Sequence, residues 1–282
     1  MNRKKAYEYG INTLTDAGIK EAKTDTLLLL LYICKVDRNA LYAHGEEELG
    51  EAEEHSYIEA IEKRTHHIPL QHITGLQEFM GLIFRVNEHV LIPRQDTEIL
   101  VEEVLKNMQD GFDILDMCTG SGCILLSLLH YSNDCRGIGT DISEKALETA
   151  RDNSSQLGIE ASFIQSDLFE KITEKYDIIV SNPPYIKSEV IPTLMEEVKD
   201  YEPMLALDGK SDGLFFYKEI TEKSRQHLVS GGMLFFEIGY DQAKDVTSIM
   251  QKAGFKDITV KKDYAGLDRV VYGTLFGGNT DV

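Results

Sequence analysis

Apolar positions in the first 65 residues recur at the spacing of α-helices. Between positions 7 and 14 they recur every three or four residues, and Gly18 can end that segment. Thr24 and Asp25 are candidate caps for a second helix, in which residues 27–31 are apolar on most faces. We therefore predict a small bundle of helices at the start of the chain.

After this bundle the helical pattern breaks, at Pro69 and Gly75. Residues 79–86 and 90–92 form β-rich segments, and the three residues between them, 87–89, predict the turn of a hairpin. The predicted organisation is a helical N-terminal domain over residues 1–75, a β-hairpin linker over residues 76–95, and a second domain over residues 96–282.

The second domain alternates apolar β-type runs with amphipathic helices. The predicted strands are residues 114–117, 137–140, 162–165, 178–181 and 233–238. The predicted helices are residues 124–129, 144–156, 214–228 and 242–253. Residues 258–261 and 269–275 have no helix between them and predict an antiparallel pair at the sheet edge. This alternation predicts an α/β fold whose mainly parallel sheet is covered on both faces.

Charge and composition narrow the classes of partner. The chain has 29 Lys and Arg against 48 Asp and Glu, a formal charge of -19, and no clustered basic run that could neutralise phosphates. We therefore expect no stable binding to nucleic acid. Cysteine spacing does not match a zinc site, and in a chain of this size the four cysteines are expected to be free thiols.

The N-terminal residues do not predict a targeting signal. The basic N-terminus is not followed by the apolar stretch of a signal peptide, and residues 27–33 are too short an apolar run to span a bilayer. These patterns predict a cytoplasmic protein that makes no membrane contact, and we expect a monomer.

A glycine-containing loop follows the first strand of the second domain and precedes a helix. Its residues are Cys118, Thr119, Gly120, Ser121 and Gly122. Open α/β sheets bind nucleotides at this position, where glycines let the backbone approach a ligand. Leu125 stands where a dinucleotide motif needs a third small residue, which favours S-adenosylmethionine, and the acidic Asp116 suits its sulfonium charge.

Two further acidic residues extend this predicted cofactor site. Asp141 lies about twenty residues beyond the loop at a strand end, where a carboxylate can accept both ribose hydroxyls. The alternative for Asp141 is a helix cap near Ser143. Asp167 would meet the adenine amine and Leu168 the adenine ring, although Asp167 could equally cap a turn.

The most specific motif is the tetrapeptide of Asn182, Pro183, Pro184 and Tyr185, which follows the strand 178–181. Two prolines make a stiff corner that displays carbonyl groups. The Asn182 side-chain oxygen and the Pro183 carbonyl can accept both protons of a planar –NH2 group, and Tyr185 can lie flat against it. Asn182 can also face the cofactor. The motif predicts methylation of an amide or a base amine.

Several segments resemble the release factor glutamine methyltransferase family. They are residues 69–75, 91–98, 116–122, 182–186, 201–203, 211–214 and 266–271, so the resemblance covers nearly the whole chain. Gln95 stands where the family usually has proline, Lys210 where glycine is common and Cys118 where glycine is frequent; Leu168 replaces an aromatic residue seen in some members.

The resemblance implies a Rossmann-like, seven-stranded methyltransferase domain that uses S-adenosylmethionine, with an N-terminal helical domain that helps to bind the substrate. It implies that the acceptor is the glutamine of the Gly-Gly-Gln motif in class I peptide chain release factors, whose methylation modulates translation termination. Residues 118–122 and Asp141 match the cofactor motif of the family, and residues 182–185 match its substrate motif.

Alternatives remain open from the residues themselves. Adenine and guanine amine methyltransferases share the acceptor tetrapeptide, and an adenosine-binding module without catalysis would share the cofactor loop. The three histidines at positions 66, 67 and 72 lack matching carboxylates or cysteines, and we predict no metal site. Asp96 and Thr97 are expected to cap a helix, and Glu237 ends a strand at the catalytic edge, where it could simply pair with a lysine. Arg94 could cover the cofactor or position the substrate, and the roles of Arg94, Glu98 and Glu237 stay open.

Overall fold

The computed structural model describes residues 1–276, which form two compact units. One unit contains residues 1–76 and 195–201, and the other contains residues 77–194 and the described residues from 202 onward. The helices are α1 (Arg3–Asp16), α2 (Ala22–Cys34), α3 (Arg38–Ala43), α4 (Glu51–Thr65), α5 (Leu70–Thr74), α6 (Gln95–Asn107), α7 (Cys123–His130), α8 (Glu144–Leu157), α9 (Glu196–Lys199), α10 (Met204–Leu207), α11 (Phe215–His227) and α12 (Ala243–Lys252). The strands are β1 (Leu76–Phe79), β2 (Leu82–Arg85), β3 (Asp113–Met117), β4 (Arg136–Asp141), β5 (Ser162–Gln165), β6 (Tyr176–Ser181), β7 (Leu228–Glu237), β8 (Lys256–Lys262) and β9 (Asp268–Leu275).

The first unit is the predicted helical bundle. Apolar side chains from α1, α2 and α4 pack together, including Leu14, Leu29 and Tyr57. The expected cap of α2 is wrong: the helix begins at Ala22, and Asp25 lies inside it, buried. Asp25 instead accepts a hydrogen bond from the Arg64 Nε at 2.7 Å, because a buried guanidinium requires a carboxylate partner.

The hairpin is present, but its predicted position is wrong. Strands β1 and β2 are joined at Met80 and Gly81, both with positive φ, and residues 90–92 form no strand. Asn87 forms a local turn instead, in which its Oδ1 accepts a hydrogen bond from the His89 N–H at 2.9 Å. Val90 and Ile92 are buried in the fold, and this burial explains why apolar β-branched residues occur at positions that form no strand.

The second unit has the predicted seven-stranded sheet, in the order β5-β4-β3-β6-β7-β9-β8. Strands β3 to β7 are parallel, whereas β9 runs antiparallel to both β7 and β8. From β3 the chain adds β4 and β5 on one side and then adds β6 and β7 on the other side of β3, so the order of strands reverses between β3 and β6. A change of this kind leaves a crevice at the carboxyl ends of the two central strands, where open α/β sheets bind ligands.

Helices cover both faces of this sheet. On one face Ile114, Ile178 and Phe235 pack against α6 and α7. On the other, Leu115, Ile179 and Leu234 pack against α11 and α12. The alternation of inward and outward side chains along each strand accounts for both layers, which confirms the predicted fold. Within residues 1–276, no helix combines the length and hydrophobicity needed to cross a bilayer.

Candidate active site

A cavity of about 340 Å³ lies in the second unit at the carboxyl ends of β3, β4 and β6. Its walls include nine of the predicted site residues: Cys118, Thr119, Gly120, Ser121, Asp141, Asp167, Leu168, Asn182 and Pro184. Gly122, Pro183 and Tyr185 do not line the cavity itself. A volume of this size, with mostly apolar walls and a few polar groups, is typical of a small-molecule site.

The register of the sheet brings the two predicted loops together. Met117 pairs with Ser181 across β3 and β6, so the residues that follow each strand leave the same edge. The backbone of the first loop is strained at Cys118, with φ of 63°, and turns again at Gly122, with φ of 79°. A Cβ on Gly122 would also lie 3.2 Å from Ala150 Cβ, so this position needs glycine for both its conformation and its packing against α8.

Asp116 does not face the cavity, contrary to our expectation that it would lie near a sulfonium charge. Its side chain is completely buried, and its Oδ2 accepts a hydrogen bond from the Thr119 hydroxyl at 2.5 Å. Burial raises the pKa of the carboxyl from 3.8 to about 7. Asp116 therefore holds the cofactor loop against the end of β3.

Asp141 ends β4 and lines the cavity, and its contact with a ribose stays a prediction. Its Oδ2 accepts a hydrogen bond from the Gly120 N–H at 3.0 Å, and its Oδ1 accepts one from the Ser143 N–H at 2.9 Å. Burial raises the pKa of this carboxyl, and the backbone donors partly offset the effect. The cap of α8 is Ser143, whose Oγ accepts from the Ala146 N–H at 3.2 Å. Asp141 thus keeps lone pairs for a ligand in the cavity.

The predicted adenine-binding pair, Asp167 and Leu168, also lines the cavity. Leu168 has φ of 47°, is buried, and both packs in the core and lines the cavity. Asp167 is exposed at the rim. Its backbone carbonyl accepts a hydrogen bond from the Glu170 N–H at 3.1 Å, so any turn formed here uses the backbone rather than the Asp167 side chain. Their contacts with adenine stay predictions.

The tetrapeptide Asn182–Pro183–Pro184–Tyr185, here called the acceptor loop, is held by side chains from other elements. The Asn182 Nδ2 donates to the Thr97 Oγ1 at 3.4 Å. The Tyr185 carbonyl accepts from the Gln242 Nε2 at 3.1 Å. The Tyr185 hydroxyl lies 3.5 Å from the Glu237 Oε1. Both ends of the acceptor loop are therefore fixed by partners on α6, β7 and the start of α12.

The carboxyl of Glu237 has hydroxyls and an arginine near it, and no lysine pairs with it among the described residues. Burial raises the pKa of its carboxyl from 4.5 to about 7, while the Thr97 hydroxyl and the Arg269 charge act in the opposite direction. The expected cap at Asp96 and Thr97 is also wrong. The N-cap residue of α6 is Arg94, whose side chain makes no capping hydrogen bond. Asp96 instead forms an ion pair with Arg269, with an N–O distance of 3.1 Å.

The two other residues of open role have structural partners. Arg94 Nη2 donates to both carboxylate oxygens of Glu202, at 2.6 and 2.7 Å, and Glu202 is buried. Pro93 and Pro203, each adjacent in sequence to one member of this ion pair, line the cavity, so the ion pair fixes two parts of its wall. Glu98 Oε1 accepts from the Met80 N–H at 2.8 Å and thereby holds the hairpin turn.

The histidines form no metal site. His67 Nε2 lies 3.1 Å from Glu196 Oε2, and no group of three possible metal-binding side chains occurs in the part of the chain that the structure describes. The four cysteines are free.

Comparison with known proteins decides the family. A model of the PrmC N-terminal domain matches residues 5–75, and a model of the methyltransferase small domain matches residues 94–211. A release factor glutamine methyltransferase of Clostridium acetobutylicum is 44% identical over 88% of this chain and 89% of its own length. The chain belongs to the release factor glutamine methyltransferase family. A second member, from Clostridium botulinum, is 42% identical over 93% of this chain and 95% of its own length.

Membership confirms the resemblance and makes this chain a methyltransferase. Among solved structures, a methyltransferase from Pyrococcus furiosus matches with a TM-score of 0.53 and 18% identity over 70% of this chain and 90% of that one, which shows the fold. Two departures from the family pattern have a structural meaning. Lys210 has φ of 69°, where glycine is favoured, and Gln95 is the first residue of α6, where proline is favoured.

Proposed function

We propose that this protein transfers the methyl group of S-adenosylmethionine to the side-chain amide nitrogen of a glutamine in class I peptide chain release factors. The acceptor is the glutamine of their Gly-Gly-Gln motif, and its methylation modulates translation termination. The observation that carries the proposal is that Asp141 and Asn182, from two different strands, open onto one cavity. A ribose-binding carboxylate and an amide-binding group are then within one site.

The donor set of the cavity fits the cofactor. Asp141 has unused carboxylate lone pairs for ribose hydroxyls, and Leu168, Val90 and Phe215 supply apolar surface for the adenine ring. Thr119 to Gly122 would hold the amino-acid portion, and Cys118 lies beside them. When bound, S-adenosylmethionine supplies a methyl group activated by its sulfonium charge.

The acceptor loop answers the main chemical difficulty of the reaction. An amide nitrogen is a weak nucleophile because its lone pair is delocalised into the carbonyl group. The Asn182 side-chain oxygen and the Pro183 carbonyl oxygen can accept its two protons, and Tyr185 lies at the end of the same loop. Orientation of this kind contributes up to about 7–11 kcal/mol to lowering a barrier. A nitrogen–carbon bond forms, the carbon–sulfur bond breaks, and the nitrogen releases one proton to a carbonyl oxygen or water.

The remaining parts of the proposal concern organisation and setting. Residues 1–75 would help to bind the release factor, residues 76–95 would act as a linker, and residues 96–282 would carry catalysis. We propose that the protein acts as a monomer in the cytoplasm, where release factors work, without stable binding to nucleic acid. A high negative charge of -19 supports the last point.

Transfer of a labelled methyl group tests the acceptor directly. The protein is incubated with labelled S-adenosylmethionine and, separately, with a release factor, DNA and ribosomal RNA, and the labelled residue is mapped. A matched release factor in which alanine replaces the Gly-Gly-Gln glutamine is the control. Label on that glutamine alone supports the proposal. Label on an adenine or guanine, or cofactor binding without any transfer, would contradict it.

A further inference from the structure

The orientation of the Asn182 amide has a structural cause outside the acceptor loop. An asparagine side chain has a donor end and an acceptor end of nearly the same shape. A substrate –NH2 group offers only protons, so it binds the Asn182 oxygen and is repelled by the Asn182 nitrogen. A rotation of the amide by half a turn would therefore place two donors face to face and remove the acceptor site.

Thr97 contacts the nitrogen end of this amide. It lies in the first turn of α6, is 2% exposed, and lines the cavity beside Asn182. Its Oγ1 is 3.4 Å from the Asn182 Nδ2. A hydroxyl can either donate or accept, however, so Thr97 selects one orientation of the amide only if its own proton is committed to another group.

Glu237 is that group. Ser181 pairs with Phe236 across β6 and β7, so Glu237 ends its strand beside Asn182. The Glu237 carboxyl is 2% exposed, its Oε2 has no hydrogen-bond partner among the described residues, and the nearby Thr97 hydroxyl stabilises its charged form. When Glu237 is ionised, its buried carboxylate needs donors, and drawing the Thr97 proton toward it leaves the oxygen lone pairs of Thr97 facing Asn182. Only the nitrogen end of the amide matches those lone pairs.

We infer that Thr97, oriented by Glu237, is a positioning residue that keeps the Asn182 oxygen directed at the acceptor nitrogen. The inference rests on the proposed function, and it deepens that function by assigning part of the preference for an –NH2 acceptor. The same arrangement disfavours an acceptor that carries an oxygen in place of the –NH2 group, such as a glutamate carboxylate.

The backbone of the acceptor loop does not depend on Thr97. Gln242 holds the Tyr185 carbonyl, and its Oε1 accepts from the Gly239 N–H at 2.9 Å. Gly209 and Gly213 pack so closely on the loop that a Cβ on either would lie within 2.7 Å of a Tyr185 backbone atom. Loss of the Thr97 hydroxyl should consequently change the side-chain orientation of Asn182 and leave the loop in place.

Substitution of Thr97 tests the inference. Thr97→Val keeps the shape and removes the hydroxyl, and Thr97→Ser keeps the hydroxyl. Thr221→Val is the matched control, since Thr221 is a fully buried threonine on α11 that does not line the cavity. The measurements are kcat and KM for the release factor, the affinity for S-adenosylhomocysteine by calorimetry, and the melting temperature.

For Thr97→Val we expect kcat to fall on the order of tenfold, as for the loss of one oriented hydrogen bond, with unchanged affinity for S-adenosylhomocysteine. Thr97→Ser should restore most of the rate, and Thr221→Val should leave it unchanged. The inference is overturned if Thr97→Val retains the wild-type kcat, if Thr97→Ser is as slow as Thr97→Val, or if cofactor affinity falls in parallel with rate. Failure of the wild-type protein to methylate glutamine would instead refute the proposed function.

Discussion

Ionisation of Glu237 should make the free energy of unfolding depend on pH. Burial raises the pKa of this carboxyl from 4.5 to about 7 in the folded protein. Between those values the folded state keeps a proton that the unfolded state has released, so stability falls as pH rises through this window. A pKa rise of that size lowers the free energy of unfolding by roughly 3 kcal/mol at pH values above the window, compared with pH values below it.

Glu237→Gln removes the titration and keeps the shape of the side chain. The free energy of unfolding of the variant, measured relative to that of the wild type, should increase by about 2–3 kcal/mol when the pH is raised from about 5 to about 8. Asp116, whose pKa is also raised to about 7, is present in both proteins and cancels in this comparison. Urea denaturation followed by circular dichroism measures the difference, which suits a chain without tryptophan.

Glu148→Gln provides the matched control for the loss of charge. Glu148 lies on the exposed face of α8, where its carboxylate keeps its hydration in both states, so the difference from wild type should vary little with pH. The reasoning is refuted if the stability difference between Glu237→Gln and wild type is the same at both pH values. It is also refuted if the difference changes in the opposite direction.

Three further predictions concern the cavity. Asp141→Asn should weaken S-adenosylmethionine binding about 10- to 100-fold in calorimetry, because one of the two backbone N–H groups that Asp141 accepts would then face an amide donor. The exposed Asp152→Asn variant is the control, and equal affinities for the Asp141 variant and the wild type would remove Asp141 from the site. Lys210→Gly should raise the free energy of unfolding by about 1 kcal/mol by relieving the strain of a positive φ, and a destabilised variant would contradict this. Arg94→Ala should lower the free energy of unfolding by about 2 kcal/mol, because it leaves the buried Glu202 carboxylate unpaired. Adding Glu202→Gln should restore part of the lost stability, and additive losses from the two substitutions would argue against an Arg94–Glu202 ion pair.

The fold was predictable because its signals are local. Most strands of the large sheet, and helices such as α8 and α12, have their own apolar period, and the boundaries of these two helices differ from the prediction by at most one residue at each end. The hairpin was misplaced for a physical reason. Val90 is buried beside α8 and Ile92 is also buried, but neither forms a strand. A run of β-branched residues cannot distinguish burial in a strand from burial in a loop.

The candidate site was predictable only in part. Loops that follow parallel strands must meet at one sheet edge, which is why Gly120, Asp141 and Asn182 could be grouped from sequence. Their supporting residues could not. Thr97 is 85 positions from Asn182, and Gln242 is 57 from Tyr185; no local pattern links side chains at such separations. Similarly, Asp116 has the charge expected for a sulfonium site, but the sequence does not show that it points into the core.

The most direct test of the central claim is the single-turnover rate of methyl transfer to the release factor by Asn182→Ala at saturating cofactor. We expect transition-state stabilisation to fall by about 1–3 kcal/mol, hence a rate roughly 5- to 150-fold slower at saturating cofactor. A variant that transfers the methyl group to the Gly-Gly-Gln glutamine at the wild-type rate would contradict the claim that the acceptor loop binds the amide.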